Sequence, residues 1–182
     1  GARAAEPPIS GLRDAGFYTN ETIFTLTTLP RRMAVIGAGP LGCELAQCFQ
    51  RLGSAVTLIT DGVQILPKED RDAAQIVRQQ MEKDGVGIIA GANIQRAEIR
   101  DGAKILTLTA ADQQFAIACD AILVSVGRTP NVENLGLEAA GIRYSARGVE
   151  VDERLRTTNR RVFAAGDICS RYKFTPPADA IR

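Results

Sequence analysis

Histidine and tryptophan are both absent from all 182 residues. Without an imidazole there is no Ser–His or Cys–His nucleophile pair, and the commonest general base is missing. A His-containing zinc site is excluded for the same reason. Cysteine is scarce and scattered, at Cys43, Cys48, Cys119 and Cys169. That pattern does not make a disulfide scaffold; reduced thiols in a cytoplasmic protein are the expectation. No excess of one charge exists either: 22 Lys and Arg face 21 Asp and Glu, a formal net charge of +1. Nothing in that balance argues for nucleic acid or an anionic membrane as a partner. No stretch approaches the ~18 consecutive apolar residues of a membrane span. Gly1-Ala2-Arg3-Ala4 lacks both the apolar core of a signal peptide and an initiating Met, so a processed chain, or one cut from something longer, is expected.

What is present is an ordinary globular composition, 45% hydrophobic and 24% charged, enough for one core plus parts of another. Residues 1–30 read as loop, broken by Pro7-Pro8, Gly11, Gly16 and Pro30. The apolar runs 32–36 and 55–59 suit buried parallel strands. Between them, residues 40–52 take helical period through Leu41, Leu45, Cys48 or Phe49, and Leu52, with Pro40 in the first turn and Gly53 as the stop. Residues 69–84 predict a second, amphipathic helix with Ile76, Val77 and Met81 inward, and residues 86–90 a third strand. The order is β-α-β-α-β, half of a doubly wound sheet. Three short strand candidates follow at 94–99, 104–109 and 114–119. Asp101-Gly102 between the first two is a strong hairpin signal. Residues 121–126 return to a buried strand. Beyond 128 the chain is turn-rich, with two isolated strand-like pieces, Val149–Val151 and Val162–Ala165.

Gly37-Ala38-Gly39-Pro40-Leu41-Gly42 is a G-x-G-x-x-G between the first strand and the first helix. In that setting the first glycine permits the tight turn, the second lets backbone approach a pyrophosphate, and the third lets helix and strand pack closely. The helix N-terminus offers free N–H groups and partial positive charge to the phosphates. A ribose-binding acid belongs near the end of the second strand, where the sequence reads Ile59-Thr60-Asp61. Asp61 can accept from a ribose 2′-OH and repel a 2′-phosphate, so NAD(H) is favoured over NADP(H); a plain turn aspartate before Gly62 is the other reading. Cys43 and Cys48 are spaced as C-x4-C, yet on one helix they diverge by ~140°. A disulfide is ruled out there, and both read as packing residues.

Three segments in series carry a resemblance: IGAGPLGCELA at 36–46, VGRTPN at 126–131 followed by NLGLEAAGI, and VEVDERLRTTNRRVFAAGD at 149–167. Together they resemble the pyridine nucleotide-disulfide oxidoreductases, of the dihydrolipoamide dehydrogenase and mercuric reductase kind, over essentially the whole chain. The resemblance implies an α/β fold: a Rossmann-like NAD(P)-binding domain (parallel sheet plus β-meander) at 31–128, flanked by remnants of an FAD-binding domain at 1–30 and 129–182. It implies NAD contacts at Gly37, Ala38, Gly39, Pro40, Leu41, Gly42, Thr60, Asp61, Ile94, Gly127 and Arg128, the last two beside the nicotinamide. It implies FAD contacts at Gly166, Asp167, Lys173, Phe174 and Thr175, and places Glu44 as the partner of a flavin-linked lysine.

The sequence also departs from the family. Thr60 stands where the family has its ribose-binding glutamate, and Pro176 where a histidine is common. The redox-active C-x4-C, the first G-x-G-x-x-G, the flavin-linked lysine and the dimerisation domain of a homodimeric parent are expected outside this sequence. The reading is therefore of the NAD(P)H-binding segment of an FAD-dependent oxidoreductase, passing hydride from NAD(P)H to FAD and on to a disulfide, dithiol or metal ion. No catalytic residue and no metal site are expected here. A free-standing NAD-binding regulatory module, or an NADH:acceptor reductase without redox cysteines, are the alternatives.

Overall fold

In the computed structural model the apolar runs become strands buried on both faces. The described residues, 1–169, give in chain order β1 (Ala2–Ala4), α1 (Leu12–Ala15), β2 (Arg32–Ile36), α2 (Pro40–Leu52), β3 (Ala55–Ile59), α3 (Arg71–Lys83) and β4 (Gly87–Ile89). Then follow β5 (Asn93–Arg100), β6 (Ala103–Ala110), β7 (Gln113–Cys119), β8 (Ala121–Val124), β9 (Arg128–Pro130), β10 (Tyr144–Ser145) and β11 (Gly148–Val149). The chain divides into two compact units, Glu6–Gly127, and Gly1–Ala5 with the chain from Arg128 on.

The larger unit is built on a four-stranded parallel sheet in the order β4-β3-β2-β8. Alternation along each strand divides its side chains between two apolar clusters. Met33, Val35, Val56, Leu58, Ala121 and Leu123 face one cluster, which α2 completes with Cys43, Leu45 and Ala46, and α3 with Met81. Ala34, Ile36, Ile59, Ile122 and Val124 face the other, closed by Ala97, Leu106, Leu108 and Cys119 of the meander and by Leu12 and Ala15 of α1. Burial on both faces is why these strands are continuously apolar. The meander β5-β6-β7 is antiparallel. Asp101 and Gly102 both take positive φ, 52° and 77°, the conformation that a tight hairpin of right-twisted strands needs. The second hairpin uses Ala111 and Asp112 at φ 48° and 59°, with no glycine to announce it.

Three expectations change. Residues 6–30 fold with the larger unit rather than with a flank. Leu12, Ala15 and Ile23 are buried in its clusters, and the Tyr18 N–H donates to the Ile122 carbonyl (2.7 Å) while the Tyr18 carbonyl accepts from the Val124 N–H (2.8 Å). This segment continues the sheet beyond β8. On α3, Ala74 and Met81, two turns apart, form the buried stripe, whereas Ile76 and Val77 are exposed. Ile76 sits ~200° around the axis from Ala74. On α2, Leu41 and Leu52 are exposed, and Gly42, Cys43, Leu45 and Ala46 form the buried face.

The smaller unit contains two short antiparallel pairs, β1 with β9 and β10 with β11. Its apolar cluster is small: Val132, Leu137, Ile142 and Val149, with Val151, Val162 and Ala164 packed against it. Polar contacts hold much of the rest. Arg3 donates from Nη1 to Asn131 Oδ1 (2.9 Å) and pairs through Nη2 with Glu133 Oε1 (2.9 Å). No helix among the described residues is long and apolar enough to cross a membrane.

Candidate functional site

Parallel register brings the C-terminal ends of β2, β3 and β8 to one edge, with Ile36 beside both Ile59 and Val124. The chain leaves β2 between strands on either side of it, the position where doubly wound sheets open a crevice. Gly37 turns there at φ 103° and its N–H donates to the Ile59 carbonyl (2.8 Å). A Cβ at Gly37 would lie 2.4 Å from the Ser125 carbonyl oxygen, and one at Gly42 2.0 Å from the Gly37 carbonyl oxygen. The fold itself therefore demands glycine at 37 and 42.

Gly39 is different. It has φ −71° and ψ 179°, open to any residue, and a Cβ there would meet nothing within 4 Å. Neither backbone strain nor packing accounts for this glycine. It is the N-cap of the thirteen-residue α2, offers no side-chain cap, and precedes Pro40 at the helix start. The first-turn N–H groups that follow have no intrahelical acceptor. An open backbone cradle at a positive helix end suits a phosphate. Ala38 is buried and its carbonyl accepts from the Leu66 N–H (2.7 Å), tying the loop after β3 to the glycine turn; nothing in the sequence signalled Leu66 or Ser125.

Thr60 and Asp61 follow β3 on the same edge. Thr60 is buried, and its hydroxyl accepts from the Gly62 N–H (3.2 Å). Its side chain is thus turned into the loop. Asp61 is exposed, with no partner among the described residues. Glu44 lies exposed on α2, and Ile94 is half-buried against the meander-side cluster. Gly127 has φ 117° with open space where a Cβ would be.

Arg128 and Asp167, expected at different cofactors, come together in the smaller unit. Arg128 Nη1 pairs with Asp167 Oδ2 (2.6 Å), and Nη2 donates to the Ala2 carbonyl (2.8 Å). The carboxylate is only 11% exposed, and its Oδ1 is buried without a hydrogen-bond partner among the described residues, as is Arg128 Nε. A buried acceptor left open is costly unless something donates to it. Gly166 precedes it at φ 79° with free space beside it. Lys173, Phe174 and Thr175, with Pro176 and Pro177, lie outside the described residues.

Cys43, Cys48 and Cys119 carry free thiols. Cys43 and Cys119 are buried, and burial pushes both up to about 11. Cys48, expected to pack, is exposed instead. The angular divergence that rules out a bond to Cys43 also points one thiol at the sheet and the other at solvent.

Residues 1–180 match the family described as pyridine nucleotide-disulphide oxidoreductase. The mercuric reductase of Staphylococcus aureus is 33% identical over 169 residues, covering 92% of this chain and 31% of that protein. The dihydrolipoyl dehydrogenase of Thermus scotoductus is 41% identical over 143 residues, 77% of this chain and 31% of that protein. Among solved structures, the Cu(II) complex of the HOCl-induced flavoprotein disulfide reductase of Escherichia coli superposes with a TM-score of 0.89 at 32% identity, covering 100% of this chain and 41% of that one. The chain spans about a third of the length of the curated relatives it matches, and the Rossmann-like fold is shared with these flavoproteins.

Proposed function

Since the chain belongs to the pyridine nucleotide-disulphide oxidoreductase family, we propose that it forms the NAD(P)H-binding part, and one wall of the flavin pocket, of an FAD-dependent oxidoreductase. When bound, the nicotinamide supplies a hydride and the flavin relays the two electrons to a disulfide, which becomes a dithiol, or to a metal ion. The observation that carries the reading is Gly39, the one glycine of the loop that the fold does not itself require. Its backbone and the α2 N-terminus would hold a pyrophosphate. Asp61 would accept from an adenosine ribose hydroxyl and disfavour a 2′-phosphate, so NADH is the expected partner; Thr60, whose hydroxyl accepts from the Gly62 N–H, would hold the loop that carries Asp61 and keep its own O–H for the ribose. On the flavin side, Asp167 Oδ1 is the open buried acceptor that a ribityl hydroxyl would fill, and Arg128 would orient that carboxylate. This open acceptor favours a flavoprotein over a free-standing NAD-binding module.

Calorimetric titration of the chain with NADH, NADPH and FAD tests the reading. NADH should bind well above NADPH. Gly39→Val should weaken NADH at least ~10-fold with stability unchanged within ~0.5 kcal/mol, because the added side chain enters only the ligand's space. Absence of dinucleotide binding by the folded wild-type chain would overturn it.

A further inference from the structure

The net charge of +1 conceals a concentration of one sign. Between residues 143 and 161 there are six arginines, Arg143, Arg147, Arg154, Arg156, Arg160 and Arg161, against three carboxylates, Glu150, Asp152 and Glu153. Three of the six, Arg143, Arg156 and Arg160, line one cavity of about 480 Å³ in the smaller unit, together with Asp152, Thr157 and Thr158. This cavity lies apart in sequence from the glycine loop, and among the described residues none of the proposed dinucleotide or flavin contacts lines it.

Its frame is fixed by hydrogen bonds that leave the guanidinium groups available. Asp152 Oδ1 accepts from the backbone N–H groups of Arg154 (2.9 Å) and Arg156 (3.0 Å), and Oδ2 accepts from Arg156 Nε (2.8 Å). The carboxylate is thereby used up as a turn cap, held below its ordinary range first by the Arg156 backbone N–H, and it presents Arg156 with only its Nε edge engaged. Thr158 Oγ1 accepts from the Arg143 N–H (3.0 Å) and donates to the Gly141 carbonyl (2.8 Å). Thr157 is buried and its hydroxyl donates to the Val162 carbonyl (3.0 Å). Arg143 has only a long, solvent-exposed pairing with Glu150 (3.4 Å), and such pairs hold little. Arg160 has no acidic partner among the described residues.

Three guanidiniums against one satisfied carboxylate give the lining residues a net charge of about +2 at neutral pH, close to the opposite of a phosphate group, whose charge is about −1.5 to −2. The planar fork of arginine matches phosphate oxygens in pairs. No aromatic ring is among the described lining residues, so these offer no platform on which a base would stack. We propose that this cavity is a second anion site, for a compact phosphate-bearing ligand recognised through its phosphate rather than through a nucleobase.

Inorganic pyrophosphate is the probe, titrated calorimetrically into the wild-type chain, the double variant R143Q/R160Q and Gly39→Val. The two arginines hold no buried contact, so the double variant should melt at the wild-type temperature. It should bind pyrophosphate at least ~10-fold more weakly, as expected for losing two charge-assisted contacts, while keeping NADH. Gly39→Val should do the reverse. ADP run in parallel on Gly39→Val tells free from esterified phosphate: affinity no greater than that of pyrophosphate is expected if only the phosphate is read, and distinctly tighter ADP would overturn recognition through the phosphate alone. Undiminished pyrophosphate binding by R143Q/R160Q, or loss of it in Gly39→Val alone, would move the anion to the glycine loop and overturn the proposal. No pyrophosphate binding by a wild-type chain that binds NADH would overturn it while leaving the dinucleotide reading intact.

Discussion

The two units hold their loops with different forces. Residues 6–127 sandwich a parallel sheet between two apolar clusters, and the loops at its strand ends are held by backbone hydrogen bonds and close glycine contacts. The smaller unit has four buried apolar side chains in its cluster among the described residues and relies on ion pairs and turn caps such as Arg3–Glu133, Arg128–Asp167 and Asp152–Arg156. Burial is insensitive to salt and acid, whereas exposed pairs are screened and titrate. The lesson is that the glycine loop proposed to hold a dinucleotide sits in the unit with the two large apolar clusters, and that the arginines and the open carboxylate sit where charge carries the structure.

That contrast can be tested by attacking each unit through its own force. The largest effect should come from the sheet: Leu58→Ala removes a fully buried side chain and should cost about 2–5 kcal/mol in urea unfolding. A cost below ~1 kcal/mol would deny the packing account. Gly42→Ala should cost about 1–3 kcal/mol by forcing the helix from the Gly37 carbonyl, and should lose NADH binding with it, unlike Gly39→Val, which separates binding from stability. Next in size is thiol accessibility. Alkylation of the native chain near pH 8 should label Cys48 and spare Cys43 and Cys119 until unfolding; mass mapping of a labelled Cys43 in native protein would contradict its burial.

The smallest effect belongs to the other unit. The Arg3 guanidinium holds the Glu133 carboxyl down to about 2, below the ~4.3 of an unfolded chain. A carboxylate whose folded pKa is depressed stabilises fully above its unfolded pKa and loses that contribution as pH falls through the folded value. The pair is solvent-exposed, so the loss between about pH 4.3 and pH 2 should be slight, and the carboxyl shift in an NMR titration is the better readout. A Glu133 midpoint near its ordinary value would remove the ion pair from the account of this unit.

Much of the larger unit was legible in advance because its signals are local. Strand runs at 32–36 and 55–59, the helix from Pro40 to Leu52, its Gly53 stop and the Asp101-Gly102 turn all follow from short-range pattern and turn chemistry. The hairpin at Ala111-Asp112 was expected from the strand runs on either side, but its turn carries a weaker signal than Asp101-Gly102 because no glycine takes a positive-φ position. The inward face of α3 was not legible: Ile76 is the more apolar side chain, but the stripe that meets the sheet runs through Ala74 and Met81. Hydrophobicity names candidates for burial; the neighbour across the interface selects among them.

By itself, the sequence determined the kind of chemistry available: no imidazole, no metal cluster of histidines, and a G-x-G-x-x-G between strand and helix. Only the tertiary structure distinguished Gly39, open and unstrained, from Gly37 and Gly42, which the fold needs for itself. It alone joined residues 6–30 to the sheet through Tyr18, brought Arg128 to Asp167 and gathered three arginines around one cavity. Such facts depend on contacts between residues far apart in the chain. Local periodicity fixes which way a side chain points from its own element, while the packing of other elements decides what it meets there.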